Sequence, residues 1–259
     1  MKNQDISESK VYLSVIMPAL NEEKNISEAI TNTIKAFDFF NLIGEVIVVN
    51  DGSTDRTEEL AEGFIKKDGR IRLLKHTKPE GIGASFWEGV ENCKGDIVIM
   101  LPSDNENDPF EIFRYYKLLE SVDIVIPFFY NKETRSIFRN ALSFIYRFII
   151  NTTFIVYLNY TNGTVLYRRS ILKDLRYRSK GFFFQTDILI RLVKEGYLFA
   201  EVPYRVSIRR EGKSKAVSFP SLLQVIKGYC QLVKDIHFKS KIGVKFPDDS
   251  LTKKRRQNG

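Results

Sequence analysis

The first half of the chain alternates between two spacings of apolar and polar residues. Unbroken apolar runs of strand length occur at "YLSVIMPAL" (12–20), "GEVIVVN" (44–50), "IRLLK" (71–75), "GDIVIML" (95–101) and "DIVIPF" (123–128). Between them lie stretches of helical spacing: "NISEAITNTIKAF" (25–37), "STDRTEELAEGFIKK" (53–67), "IGASFWEGVENC" (82–93) and "PFEIFRYYKLLE" (109–120). In the first of these, Ile26, Ala29, Ile30, Ile34 and Phe37 share one face. Asn25 with Glu28 three residues later has the form of a capping box. Asp108 before Pro109 reads as an N-cap with proline at the first helical position. Strands apolar on both faces and separated by helices predict a mostly parallel sheet with helices on both sides, an α/β architecture.

The second half reads differently. "SIFRNALSFIYRFIINTTFIVYL" (136–158) is strongly apolar, yet Arg139, Asn140, Arg147 and Asn151 interrupt it, which makes it a poor membrane span. As a helix it places Phe138, Ala141, Leu142, Ile145 and Ile149 on one face, and Arg139, Ser143 and Arg147 on another. Two readings stand: a buried amphipathic helix, or an interfacial helix lying among lipid headgroups.

Length and composition narrow the picture. At 259 residues the chain fits one α/β domain over residues 12–240, with a flexible start (1–11) and a basic tail (241–259). Cys93 and Cys230 are the only cysteines, and His76 and His237 the only histidines. A disulfide framework and a multi-histidine metal site are thereby excluded, and a reducing cytoplasm is expected. The start, "MKNQDISESK", lacks the apolar core of a secretory signal. The net charge of +8 suits an anionic membrane surface, a phosphate-rich substrate or nucleic acid. The final "LTKKRRQNG" reads either as a solvated tail or as a weak electrostatic membrane tether.

In an α/β sheet of this kind ligands bind beyond the carboxyl ends of the strands. "PALNE", "NDGSTD" and "PSDNEND" all follow strand ends, so three polar loops are predicted to converge on one edge. In "VVNDGSTD", Asp51 can accept hydrogen bonds from a ribose or a base, and Gly52 permits a tight turn; the same residues also make good turn and N-cap chemistry. In "PSDNE", Asp104 and Glu106 are hard oxygen donors suited to Mg²⁺ or Mn²⁺, an ion that would bridge a diphosphate. In "SIRREGKSKAVSF", Arg209, Arg210, Lys213 and Lys215 around Gly212 and Ser214 read as a phosphate clamp or as a solvated basic loop. A nucleic-acid platform is disfavoured: the basic residues lack interleaved aromatics, and the acidic loops would repel phosphate without a metal.

Taken in order, "PALNE", "VVNDGSTD", "EGIGAS", "PSDNE", "YTNG", "FQTD" and "RREGKSK" resemble the family-two glycosyltransferases, and more narrowly the dolichyl-phosphate mannosyltransferases and bacterial polyprenyl-phosphate relatives, over about residues 12–217. The resemblance implies a GT-A, Rossmann-like fold, a nucleotide-sugar donor and a divalent ion. It implies that Pro18, Ala19, Asn21, Glu22, Asp51, Gly83 and Ser103 hold the nucleotide. It implies Asp104 and Glu106 as metal ligands, and Arg209, Ser214 and Lys215 as the grip on donor and acceptor phosphates. Asp187 falls where family members carry an acidic residue, and is the candidate base for a sugar-hydroxyl acceptor; as a bare residue it also reads as an N-cap of "ILIRLVKEG". A polyprenyl-phosphate acceptor would need no base, because its oxygen is already anionic. Two positions depart from the family pattern: the first Asp of Asp-x-Asp is Pro102, and the Asp before "YTxG" is Asn159. The likeness is to members without membrane spans, for which a membrane-anchoring partner is an expectation. A non-catalytic nucleotide-sugar binder is the reading of another class.

Overall fold

A computed structural model describes residues 12–131, 133, 136–173, 175, 177–206, 219–238 and 245–258. In the first half, β1 (Leu13–Ala19), α1 (Ile26–Phe39), β2 (Gly44–Asn50), α2 (Thr57–Ile65), β3 (Ile71–Lys75), α3 (Ile82–Asn92) and β4 (Ile97–Met100) follow the expected alternation. Next come α4 (Pro109–Phe113), a 3₁₀ turn (Tyr116–Glu120), β5 (Ile124–Phe129) and α5 (Ile137–Phe154). The second half adds β6 (Leu166–Arg168), α6 (Ser170–Lys173), α7 (Phe184–Glu195), β7 (Phe199–Tyr204), α8 (Phe219–Val233) with a π-helical turn (Lys234–Phe238), and α9 (Leu251–Asn258).

The strands form one sheet in the order β3-β2-β1-β4-β6-β5-β7. All pairings are parallel except those of β6, which runs antiparallel between β4 and β5. Successive residues of a strand face opposite sides, and both sides are buried. Ile16, Ile47, Val49, Val98, Ile124 and Ile126 belong to one core with Phe86 and Trp87 of α3 and Leu189 of α7. Val15, Met17, Val46, Val48, Ile99 and Val125 belong to the other, with Ile30 and Phe37 of α1 and Phe113 of α4. The expected sheet with helices on both faces is therefore what forms, and a buried edge-to-edge hydrophobic run is the physical reason.

Three local expectations are corrected. Asn25 does precede α1, but its side chain makes no cap bond; its Nδ2 donates to Glu22 Oε2 at 2.7 Å instead. The helix expected over 109–120 breaks after Phe113, although Asp108 caps its start by accepting from the Phe110 amide at 2.8 Å. The basic end is more than a solvated appendage. Asp123, fully buried at the amino end of β5, accepts from the amides of Leu251 and Thr252 at 2.8 and 2.9 Å and from Ser250 Oγ at 3.0 Å. A carboxylate in that place satisfies the orphan amides of α9 and complements its dipole. Arg256 of α9 lies over the Phe246 ring at 4.4 Å.

α5 is where the sequence left two readings, and the buried one fails. Only Ile150 and Phe154 are buried along its 18 residues. Phe138, Phe144 and Phe148 are 70%, 59% and 63% exposed, and Leu142, Ile145 and Ile149 are exposed with them. Tyr146, Arg147 and Asn151 turn inward instead. Arg147 donates to the Asn159 carbonyl at 3.2 Å, Asn151 to the Leu158 carbonyl at 3.0 Å, and Tyr146 Oη pairs with Thr186 Oγ1 at 2.8 Å.

Candidate active site at the carboxyl edge of the sheet

β1, β2 and β4 end side by side, and the loops beyond them are tied together by their own polar groups. Ser103 donates through Oγ to the Pro18 carbonyl at 2.9 Å, joining the β4 loop to β1. The Asp51 amide donates to the Ala19 carbonyl at 2.8 Å, joining the β2 loop to β1. Asn21, with φ of +53°, sits in the left-handed region that Asn tolerates better than most residues. There its amide reaches Ser53 Oγ at 3.0 Å, while its own Oδ1 accepts from the Thr54 amide at 2.8 Å. The Glu22 amide donates to Thr57 Oγ1 at 2.8 Å, and the Glu23 amide to Asp55 Oδ2 at 3.1 Å. Burial disfavours the charge on Asp55, but donation from Thr57 and the nearby amides outweighs it and holds this carboxyl below the usual range. The convergence expected from the sequence is thus present for Pro18, Ala19, Asn21, Glu22, Asp51 and Ser103.

Asp51 does something its loop motif did not announce. Its carboxylate faces back into the fold, accepting from the Glu80 amide at 2.7 Å and the Gly81 amide at 3.0 Å, with His76 Nδ1 at 2.6 Å from Oδ1. His76 Nε2 in turn meets Glu88 of α3. Gly52 makes this possible: at φ of +71° it passes so close to Lys78 and Pro79 that a Cβ there would lie 2.8 Å from backbone. Gly83 belongs to the same corner: its amide donates to the Lys180 carbonyl at 2.8 Å, and a Cβ there would run into the Ser179 carbonyl oxygen.

On the β4 loop, Asp104 Oδ1 accepts from the Glu106 amide at 3.2 Å. Asn105 between them, at φ of +57°, receives a hydrogen bond from Asn32 of α1 at 3.2 Å. Among the described residues no group of three His, Cys, Asp or Glu side chains gathers to hold a metal ion. A protein-closed metal site is therefore not what these residues offer. Two neighbouring hard-oxygen residues fit Mg²⁺ or Mn²⁺, ions that keep water and share their shell with a ligand's phosphates.

Asp187 is not an N-cap. It is inside α7 and almost fully buried. Both of its oxygens are taken by Arg191, at 3.0 and 3.1 Å, and Arg191 continues to Asp235 at 2.8 Å. Burial pushes its pKa up to about 6 against the pull of Arg191. A carboxylate gripped by a guanidinium fork on both oxygens is poorly placed to take a proton from a substrate. Arg209, Ser214 and Lys215 lie outside the described residues.

The sequence reading missed the His76–Glu88 pair and Glu201. Glu201 of β7 accepts from the amide and the side chain of Asn159 at 2.7 and 3.0 Å. Asn159 is where the family pattern has Asp; here an Asp would face Glu201 with like charge. The signal for His76 was its place directly after β3: Lys75 pairs with Asn50, so the next residues, His76 and Asp51, fall side by side.

The fold is thus a mostly parallel α/β sheet with one antiparallel strand and three tied polar loops at its carboxyl edge. The chain belongs to glycosyl transferase family 2, whose family model matches residues 14–176. Among curated proteins it is 28% identical over 206 residues to an undecaprenyl-phosphate 4-deoxy-4-formamido-L-arabinose transferase from Edwardsiella ictaluri, covering 79% of this chain and 62% of that one. It is 32% identical over 124 residues to a dolichyl-phosphate β-glucosyltransferase from Trichomonas vaginalis, covering 46% of this chain and 37% of that one. The chain thus spans less than two thirds of the length of these relatives. Among solved structures, glucosyl-3-phosphoglycerate synthase from Mycobacterium tuberculosis, in complex with Mn²⁺, UDP and phosphoglyceric acid, has a TM-score of 0.68 at 21% identity, covering 91% of this chain and 81% of that one. Its complex with Mg²⁺ and UDP has a TM-score of 0.64 at 22% identity, covering 86% and 79%. The fold is GT-A.

Proposed function

We propose that the protein transfers a sugar from a nucleoside-diphosphate sugar to a polyprenyl-type phosphate at a membrane surface, with inversion at the anomeric carbon. The observation that carries this reading is α5. It follows the carboxyl end of β5, the edge that bears the donor loops, and it turns Phe138, Phe144 and Phe148 outward. An outward stripe rich in aromatic residues fits the headgroup region of a bilayer, and α8 adds exposed Leu222, Leu223 and Ile226. No helix among the described residues is long and apolar enough to cross a membrane. The curated relatives named for undecaprenyl and dolichyl phosphates support the same acceptor class.

The tail is a weaker support for membrane contact. α9 docks on Asp123, at the amino end of β5, and the six residues of that strand separate it from the donor edge by ~20 Å. A phosphate acceptor also fits what Asp187 does. Its oxygen is a ready nucleophile, so no carboxylate base is required, and the carboxylate on α7 is free to serve as an ion-pair anchor.

In this reading the loops of β1 and β2 hold the nucleoside. Asp104 and Glu106 would hold the divalent ion, which when bound supplies charge neutralisation for the departing diphosphate. Arg209, Ser214 and Lys215 grip the phosphates, an assignment that rests on their sequence pattern.

The test is transfer of a radiolabelled sugar to a short polyprenyl phosphate, across a panel of UDP- and GDP-sugars with Mn²⁺ or Mg²⁺. Asp104→Ala and Glu106→Ala each lose about a hundredfold or more in turnover, the scale for removing one group that stabilises transition-state charge. Their melting temperatures stay close to that of the parent. Transfer indifferent to a chelator and to both substitutions refutes the metal role. Donor binding without transfer or hydrolysis favours a non-catalytic binder.

A further inference from the structure

The arrangement around His76 has more to it than packing. Its ring is largely enclosed, with Nδ1 2.6 Å from Asp51 Oδ1 and Nε2 on Glu88 Oε2. An ionised carboxylate oxygen can only accept a hydrogen bond. With a carboxylate at each ring nitrogen, both nitrogens must donate, which makes the ring an imidazolium. Asp51 then completes a chain: Glu88, His76, Asp51, and the amides of Glu80 and Gly81. Those two amides belong to the turn that opens α3 at the donor edge, and Gly81 holds a φ of +105° there.

We propose that His76 is a positioning residue for the donor site, a charged strut between Asp51 and Glu88 that fixes the turn at residues 77–81 and loosens donor binding when it loses its proton. The proposal rests on the reading that the β1 and β2 loops hold the nucleotide. Without its second proton the ring presents a lone pair to one carboxylate oxygen at hydrogen-bond distance. Repulsion then displaces Asp51 or Glu88, and Asp51 carries the turn with it.

The charged groups facing the ring are Asp51 from the end of β2 and Glu88 from α3; Lys75, its neighbour on β3, turns away to Glu58 and Glu62 of α2. Burial works against the ring's charge, yet the two carboxylates hold its pKa above the ordinary histidine value. The sign follows from that. A histidine with a raised folded-state pKa contributes fully below the ordinary value of about 6.5, and its contribution disappears as pH rises through the folded value.

Two variants and three readouts test this. His76 and His237 are the only histidines, so imidazole resonances are followed by NMR with His76→Gln as the assignment control. His76 titrates above the ordinary value, and Glu88→Gln, a change at a partly exposed side chain, lowers that midpoint. Amide hydrogen exchange over residues 77–85 is faster in Glu88→Gln than in the parent at the same pH. Calorimetry with UDP and GDP in Mn²⁺ shows affinity falling about tenfold or more across the titration, the scale of one charged hydrogen bond, and His76→Gln binds weakly without that pH dependence. A midpoint at or below the ordinary value, or equal exchange in parent and Glu88→Gln, overturns the strut. Failure of both nucleotides to bind at any pH overturns the donor reading beneath it, while ring titration and exchange still decide the strut itself.

Discussion

α1 and α5 are written in similar language and used in opposite ways. Both carry an apolar stripe at helical spacing, and both follow a strand of the same mostly parallel sheet. α1 turns its stripe inward: Ile26, Ala29, Ile30, Ala36 and Phe37 are buried against the sheet. α5 turns most of its stripe outward and only part of its polar set in. Tyr146, Arg147 and Asn151 make its inner contacts, and Ile150 and Phe154 are its only buried apolar side chains. Hydrophobic periodicity therefore reports that a helix has a face and is silent on what covers it. In a molecule that works alone in water, an outward stripe of this size is a liability; against a bilayer or an apolar partner it is a contact surface.

The comparison is broken most severely from the α1 side. Phe37 is fully buried and stacks on Phe113, with ring centroids 5.5 Å apart, and it fills the space under Gly44. Phe37→Ala removes a whole ring from a closed core, and costs about 3–5 kcal/mol. Denaturant unfolding followed by circular dichroism reads it directly. A loss under about 1 kcal/mol, the size of a tolerated core swap, contradicts a closed core around Phe37.

The same contrast explains what could be read in the sequence. The five apolar runs and the loops behind them were legible because a strand buried on both faces has one pattern and few alternatives. β6, only three residues long, carries too short a pattern to stand out, and β7 mixes Glu201 and Pro203 into its run. Asp123 shows a harder limit: its partners on α9 lie 128 residues away, and nothing local to either segment announces the other. At the carboxyl edge of the sheet, Asp104, Glu106 and Asp51 stood out as carboxylates at strand ends. Yet Asp51 was expected to face a ligand and faces His76, because the pairing of β2 with β3 is a property of the sheet. Asp187 was assigned by position in a motif, and its place inside α7 beside Arg191 came only with the fold.

A smaller effect belongs to the inner, polar side of α5. Asn151 closes the turn after the helix from both sides, donating to the Leu158 carbonyl at 3.0 Å and accepting from the Leu158 amide at 3.3 Å. Asn151→Ala leaves that amide and carbonyl without their partner, and costs about 1–3 kcal/mol. The expected ordering is the reverse of the usual one for helices, with a polar residue mattering to stability where apolar neighbours do not. If Asn151→Ala unfolds at the parent's denaturant midpoint, the inner face of α5 is not held by its polar contacts.

The smallest effect on stability, and the sharpest test of the contrast, is on the outer face. Ile145 and Phe148 are more than half exposed and sit one helical turn apart in reach of the same surface. Replacing both with serine removes little that is packed in the folded chain, so unfolding free energy stays within about 0.5 kcal/mol of the parent. Sedimentation with liposomes containing anionic lipid tells the other half. The parent protein pellets with vesicles at low salt, and the double variant stays in the supernatant, because the lost apolar area is the part that enters the headgroup region. α9 provides the internal control. Its cations lie at the opposite edge of the sheet, so Lys254→Gln with Arg255→Gln leaves vesicle binding largely in place. Were the α9 variant to abolish binding while Ile145→Ser with Phe148→Ser kept it, the basic helix would be the membrane contact, and the outward stripe of α5 would need a protein partner in place of lipid.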